Sequence, residues 1–549
     1  MQGLTSSFQS LQVSAPQTGP VLMPHQVKAL EFVRLREKDL VISGGFLGMQ
    51  MGMGKTLTML SHLAEETEQK SPTLVACPKT AMLTWKQEIT KHYQGRFSVL
   101  LFRKDEAKLE TLTAEDISNY DIVITNYDYI RSLCKRLDLF DRLAYKDSRE
   151  RIIGANISYK PICNVNTGEA LLFSTRWGRI IADESHNFSN FKTALWQSMM
   201  CLCSKFKWCL SGTPIRNICD DLYAQYKFLG YRDGKFDIKA FRSLKIDKYI
   251  FYMNYEIAGI KLPEVNHVRV PIVLEEQNLK IYNYYLEKAN EAYDSFTVGT
   301  TDFVEVLTLF IRLRQVCLAP WTVTPDLSKL TKQAVDEYEL SQIELDELSE
   351  GLSLWINEKN GTAGMKAPKI LKTIELINSV PRGEKVIVFT MFKKVIDLLS
   401  VACCDRSYVV INGDIVGKQR ESIITSFKRD DIDVLFISYK IGAESLNLTE
   451  ANHIILLEPW WCPAVIDQAK SRVHRLGQNK TTNLYELYIS NNRDFFSIEE
   501  AILEYCDGKR AKAAEFYEQG KMDPEYRLNA QTLGAIISKT HCKIKPRQT

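Results

Sequence analysis

The sequence predicts an α/β protein of two RecA-like lobes, each built on a parallel sheet, with a helical insertion between them. Three observations predict it. Short apolar runs alternate with helical stretches over 21–232 and again over 366–498, the pattern of buried parallel strands with helices on both faces. Over 233–365 the strand signals fade, and Leu307, Phe310, Ile311 and Arg314 recur at helical spacing. The length of 549 residues fits three or four domains of roughly 150 residues each.

Composition sets the outer bounds. With 45% hydrophobic and 25% charged residues, 27 Gly and 17 Pro, the chain is not collagen-like, coiled-coil or mostly disordered. The net charge of +3 comes from 70 basic and 67 acidic residues, so a nucleic-acid surface would need local concentration of the basic ones. The 13 cysteines include no C-x-x-C pair, which argues against both a disulfide scaffold and a structural zinc set. No apolar run approaches the ~18–20 residues that span a bilayer, and Met1 to Pro20 lacks the layout of a secretory signal. An intracellular protein with no membrane partner is expected.

In chain order, residues 1–20 are polar and read as a flexible arm. The first lobe, 21–232, has strand candidates at Leu74-Val75-Ala76, Ile122-Val123-Ile124 and Ile180-Ile181-Ala182. Within it, 131–176 reads as a surface insertion tipped by a hairpin around Asn166-Thr167-Gly168. The helical inter-lobe region, 233–365, carries Asp336, Glu337, Glu339, Glu344, Asp346, Glu347 and Glu350 without one Lys or Arg among them. Such a face repels phosphate and should point away from any nucleic-acid track. The second lobe, 366–498, has strand candidates at Val386–Phe389, Val434–Ile437 and His453–Leu457, and 499–549 reads as a mildly basic helical tail.

Two clusters carry phosphate chemistry. Gly52-Met53-Gly54-Lys55-Thr56 follows an apolar stretch and opens a helical one at Leu57. Amides at a helix start satisfy phosphate oxygens, glycines permit close approach, Lys55 reaches the β- and γ-phosphates, and the Thr56 hydroxyl binds Mg²⁺. The strict pattern places Gly where this chain has Met49. Asp183-Glu184-Ser185-His186 ends the apolar run from Arg179. Acids at the end of a parallel strand face the ligand crevice. There Asp183 would hold Mg²⁺, and Glu184 would orient and deprotonate the attacking water. A third segment, Gln468 to Gln478, offers Arg472 and Arg475, three apart and expected on one helical face, to stabilise charge on the transferring γ-phosphate. Read alone, it also fits a solvated basic helix. Met49, Met51 and Met53 alternate and read as packing beneath a nucleotide rather than metal ligands. Trp460 and Trp461 fit either stacking on bases or burial.

Together these motifs resemble the Swi/Snf-type ATPases of helicase superfamily two, across about residues 21–490. Leu22-x-Pro24-His25-Gln26 resembles the adenine-reading glutamine motif; Gly44-Gly45-Phe46-Leu47 through Thr56 resembles motif I; Cys77-Pro78-Lys79 with Trp85 and Glu88 resembles motif Ia. Asp121 to Tyr127 resembles the next strand motif, Trp177 with Asp183 to His186 motif II, and Ser211-Gly212-Thr213-Pro214 with Asn217 motif III. In the second half, Leu313-Arg314-Gln315, Ala367-Pro368-Lys369, Gly413, Arg420 and Phe427 keep family spacing. There Ser438 to Leu448 resembles motif V and Gln468 to Gln478 motif VI. Pro459-Trp460-Trp461 resembles the helicase-like transcription factor branch, without the Cys/His set of its RING module.

The resemblance implies a double-stranded DNA translocase, driven by ATP and Mg²⁺, that remodels protein–DNA complexes or DNA structures in transcription, replication or repair. Gln26, Gly52, Met53, Gly54, Lys55, Thr56, Leu57 and Gln468 would then bind nucleotide. Lys79, Thr125, Ser438 and Lys440 would hold DNA phosphates, and His186 and Thr213 would link the two sites. It further implies a monomeric motor acting on chromatin or on a transcription or replication complex. A strand-separating helicase and a degenerate ATPase serving as a DNA-binding scaffold are the alternatives. The chain departs from the family pattern at Met49-Gln50, where Asp-Glu is usual, at Cys462 for Asn, and at Ala443 and Ser445 for glycines. It departs again at Tyr252-Met253-Asn254-Tyr255, where Arg-Arg-x-Lys is expected. These departures bear on DNA coupling more than on hydrolysis.

Overall fold

The computed structural model describes residues 19–39, 42–66, 71–104, 109, 111–146, 152–159, 168–191, 193–212, 219–231, 246–301, 303–319, 367–403, 405–415, 417–429, 431–442, 446–490, 495–519 and 536–542. The N-terminal arm to residue 18, the acidic run 336–350 and Thr213 lie outside them. The chain divides into two units, residues 1–214 with 223–258 and residues 215–222 with 259–549.

The first unit holds β1 (Gly44–Met49), β2 (Thr73–Cys77), β3 (Val99–Leu101), β4 (Ile122–Asn126), β5 (Phe140–Lys146), β6 (Ile152–Tyr159), β7 (Trp177–Asp183), β8 (Ser204–Leu210) and β9 (Ile250–Met253). Seven of them form one sheet in the order β3-β4-β2-β7-β8-β1-β9, and its strand pairs are parallel. Strands β1, β2 and β4 are buried along their whole length, which is why they read as unbroken apolar runs rather than alternating ones. Register places Leu47 opposite Leu210 and Leu210 opposite Asp183. The ends of β1 and β7 therefore lie on the same edge of the sheet, two strand spacings or roughly 10 Å apart.

The second unit holds β10 (Val265–Ile272), β11 (Val386–Thr390), β12 (Tyr408–Ile411), β13 (Val434–Ser438), β14 (His453–Leu456) and β15 (Thr482–Ile489). They form a parallel sheet in the order β10-β15-β14-β11-β13-β12. Its two faces feed two apolar clusters, one around Val388, Phe436 and Ile455, the other around Ile387, Phe389 and Leu435. The helices Glu276–Val298, Phe303–Leu318, Pro368–Ser379 and Ile498–Gln519 cover the first cluster.

Two expectations need correction, on the inter-lobe region and on the tail. The region read as helical contains β9 and β10, which close an edge of each sheet. β10 is mostly exposed along Val265 to Pro271, and its Pro271 is tolerated because an edge strand has one unpaired side. An exposed edge has no apolar run to announce it. The insertion carries an antiparallel pair, β5 with β6; Asn166 and Thr167, where a hairpin tip was expected, lie outside the described residues, and Gly168–Ala170 is a short 3₁₀ turn. The tail is helical through Gln519, but it also contributes β17 (His541–Cys542), antiparallel to β16 (Phe495–Phe496). Among the described residues no helix is long and apolar enough to cross a membrane.

Candidate active site

Strand β1 delivers the phosphate loop. Gly52 and Gly54 both sit at φ +84°, a region L side chains disfavour. The backbone conformation requires glycine at Gly54, and a Cβ there would lie 2.2 Å from Gln26 Nε2 and displace that amide. Gly54 caps the helix Lys55–Glu65, and Thr56 and Leu57 follow in its first turn, both half-buried. Lys55 Nζ donates to the Met49 carbonyl at 2.9 Å. Gln26 Nε2 donates to the Met53 carbonyl at 3.2 Å, and His25 Nε2 lies 3.0 Å from the same oxygen. Gln26 Oε1 in turn accepts from the Met23 amide at 2.9 Å. Met49, Met51 and Met53 are buried; their alternation is packing.

The acidic pair closes β7. Asp183 is 8% exposed. Its Oδ2 accepts from the Trp85 indole at 2.8 Å, and its Oδ1 from the Glu184 amide at 3.0 Å. The Tyr127 hydroxyl donates to the Asp183 carbonyl at 2.5 Å. Burial first, and the Asp183 charge second, push the Tyr127 phenol well above its ordinary range, so it remains a donor. Glu184 adopts φ 49°, ψ 50°, a left-handed conformation that costs on the order of 1 kcal/mol for a residue with a Cβ. Outside glycine, only Asp138 shares a positive φ among the described residues. His186 Nδ1 lies 3.0 Å from Ser211 Oγ and 3.3 Å from Glu184 Oε2. The imidazole therefore joins the acidic motif to the first residue of the Ser211-Gly212 segment.

The second unit carries the arginines. Helix Pro463–Val473 starts on Pro463 at its first position, and Gln468 and Arg472 are buried on it. The helix stops there. His474 leaves helical geometry at ψ 87°, and Gly477 turns the chain at φ +101°. Arg475 thus lies beyond the helix, correcting the expectation that it shares a helical face with Arg472. Its Nη1 donates to the Leu446 carbonyl at 3.3 Å, and the Leu448 amide donates to the Arg472 carbonyl at 3.0 Å. Gln478 Nε2 closes the turn on the carbonyls of Ala451 at 2.8 Å, Thr449 at 3.2 Å and Val473 at 3.3 Å. The segments resembling motifs V and VI therefore meet. Trp460 and Trp461 stack on each other at 3.7 Å, with the buried Arg314 guanidinium 4.9 and 5.1 Å from their rings.

The residues expected to hold DNA divide. Lys79 is exposed just after β2, and Ser438 is half-buried at the end of β13. Thr125 is fully buried and its hydroxyl donates to the Phe102 carbonyl at 2.8 Å, so its side chain is spent in the core; this corrects its assignment to DNA. The Lys440 side chain lies outside the described residues, as does Thr213. Sequence reasoning missed the roles of Trp85, Tyr127, Ser211 and Tyr255, whose hydroxyl donates to the Met51 carbonyl at 2.8 Å.

The SNF2-related domain family matches residues 25–243, and the helicase conserved C-terminal domain matches residues 368–477. The chain is 33% identical to a protein of Invertebrate iridescent virus 6 named as a helicase, 172L, over 94% of this chain and 95% of that one. It is 26% identical to a protein of Orgyia pseudotsugata multicapsid polyhedrosis virus named as a global transactivator, over 90% and 91%. A solved SWI2/SNF2 ATPase core of Sulfolobus solfataricus in complex with double-stranded DNA aligns over 93% of this chain and 96% of that one, at 22% identity and a TM-score of 0.36.

Proposed function

Because this chain belongs to the SNF2-related family of ATP-dependent helicases, we propose that it is an ATP-driven motor that tracks double-stranded DNA and remodels the complexes bound to it, chromatin or a transcription or replication complex. The observation that carries the nucleotide chemistry is the shared sheet edge: the Lys55 loop leaves β1 where Asp183 and Glu184 leave β7.

In this reading Gln26 contacts the adenine. Gly52, Gly54, Thr56 and Leu57 present backbone amides to the phosphates, Met53 shapes the loop between them through its amide bond to the Gln50 carbonyl, and Lys55 meets the β- and γ-oxygens. The available donors, a carboxylate on Asp183 and a hydroxyl on Thr56, are hard oxygens that suit Mg²⁺. That ion, when bound, neutralises charge on the β- and γ-phosphates. Trp85 and the Glu184 amide hold the Asp183 carboxylate in one orientation. Glu184 takes the proton of the attacking water, with His186 beside its carboxylate. Gln468, Arg472 and Arg475 supply the second set of polar and positive groups, and the two arginines stabilise the transferring phosphoryl group. Lys79, Ser438 and Lys440 meet DNA phosphates, which carry little sequence information, so binding should be salt-sensitive and weakly sequence-selective.

The deciding experiment is ATP turnover with no nucleic acid, duplex DNA, single-stranded DNA and RNA, with Lys55→Ala as baseline. Stimulation by duplex without strand displacement supports the motor. Displacement of a strand would make the protein an unwinding helicase. Wild-type turnover no higher than that of Lys55→Ala would make it a DNA-binding scaffold.

A further inference from the structure

A loop that binds phosphate through its amides has to keep its carbonyl oxygens away from the anion. Here the carbonyls of Met49, Gln50, Met51, Met53 and Gly54 are each captured. The Met49 oxygen accepts from Lys55 Nζ at 2.9 Å, the Gln50 oxygen from the Met53 amide at 3.2 Å, and the Gly54 oxygen from the Thr58 amide at 2.9 Å. The Met53 oxygen accepts from Gln26 at 3.2 Å. The Met51 oxygen, in the middle, accepts from the hydroxyl of Tyr255, 204 residues downstream, at 2.8 Å. Tyr255 is buried at 7% exposure, so this bond does not exchange readily with water. The same segment grips the loop twice more. The Gln50 amide donates to the Met253 carbonyl at 2.8 Å, and the Tyr255 amide donates to Gln50 Oε1 at 3.2 Å. Strand β9 fixes the origin of the grip by pairing Met253 with Met49.

We propose that Tyr255 is a positioning residue for ATP: it orients the Met51–Gly52 peptide so that the phosphate loop is formed before nucleotide arrives. Gln50 is its partner in that strap. The inference rests on the reading of this loop as an ATP site. It assigns a role to two stretches, Met49-Gln50 and Tyr252 to Tyr255, where the sequence departs from the family pattern.

The consequence is specific. A peptide plane that must be reoriented on binding weakens ground state and transition state alike, so KM rises and kcat holds. Tyr255→Phe keeps the buried ring and removes the donor. Loss of one such bond should raise the KM for ATP about 3–10-fold with kcat within about twofold of wild type. Gln50→Ala, which removes the acceptor of the Tyr255 amide, should shift KM in the same direction. The test is steady-state ATP hydrolysis by the full chain, with ATP affinity measured independently by fluorescent-analogue competition. A KM within twofold of wild type in Tyr255→Phe overturns the strap. So does a fall in kcat at unchanged KM, which is the mark of a smaller folded fraction. Wild-type protein that fails to bind ATP overturns the underlying reading of the site instead.

Discussion

Glu458 offers the sharpest test of the second unit's packing. It follows β14 and is fully buried. Its Oε1 accepts from the Met391 amide at 2.5 Å and from Thr390 Oγ1 at 3.2 Å, while its Oε2 has no hydrogen-bond partner among the described residues. Burial raises its carboxyl from 4.5 to about 7, against the opposing pull of the Arg314 guanidinium. Burial lowers Arg314 in turn, but an arginine does not surrender its proton, so Glu458 is the member that neutralises. A carboxyl whose folded value lies above its unfolded one contributes stability below pH 4.5 and loses it as pH rises through about 7. The loss amounts to about 3 kcal/mol by pH 8. Glu458→Gln replaces the acid by a group that never ionises. Near pH 5 the variant should match wild type within about 1 kcal/mol; at pH 8 it should be the more stable, with the unfolding midpoint of the second unit higher by roughly 4–5 °C. Thermal unfolding of both proteins from pH 5 to pH 8 measures the difference directly. Parallel pH profiles, or a variant less stable than wild type at pH 8, would refute the reasoning, because they would mean that Glu458 is ionised and paired in the folded protein.

Three further outcomes follow from the geometry. Glu184→Gln should bind ATP with near-native affinity and hydrolyse it about 10²–10⁴-fold more slowly; near-normal single-turnover rates would remove it as the base. Arg475→Ala should lower kcat by about 10³-fold while leaving ATP affinity nearly intact, and equilibrium binding that collapses along with turnover would assign it to ground-state binding. Lys369 pairs with Glu499 at 0% exposure on both sides and donates to the Leu457 and Leu487 carbonyls at 2.8 and 3.3 Å. Lys369→Met should therefore cost about 3–5 kcal/mol in denaturant unfolding, with much of it recovered in Lys369→Met/Glu499→Gln; a single variant as stable as wild type would show that the pair is not buried in solution.

What could be read in the sequence was what the chemistry requires to be contiguous. A phosphate loop needs its glycines, lysine and hydroxyl within five residues, and the acids must stand directly at a strand end, so both were visible. Buried strands such as β2, β4 and β13 were visible because burial on both faces leaves an unbroken apolar run. Edge strands were not: β9 and β10 each pair on one side, and their residues are mostly half-exposed or exposed. Nor were the positioning contacts. Trp85 reaches Asp183 across 98 positions and Tyr255 reaches Met51 across 204, separations that leave no local period. The expected i,i+3 pairing of Arg472 with Arg475 failed for a related reason. Helical spacing was carried one turn past the point where His474 and Gly477 end the helix.

The departures from the family pattern leave the phosphate-binding residues in place, but two of them border the phosphate loop and so touch the choice between a working ATPase and a decayed one. Loss of function by drift leaves changes that ignore one another, because nothing couples them. In this protein, two of the departures are coupled. Gln50 and Tyr255 are bonded to each other, Gln50 is bonded to the carbonyl of Met253, and Met49 stands opposite Met253 in the β1–β9 register. An acid at position 49 would be buried opposite Met253 without a guanidinium partner, and a buried acid without a cation is costly; position 50 is exposed. The replacement of both stretches together avoids that cost, and the result keeps the carbonyls of the loop occupied. Such pairing is what continued use of the loop would select. It weighs against the scaffold reading independently of any residue that touches the phosphates.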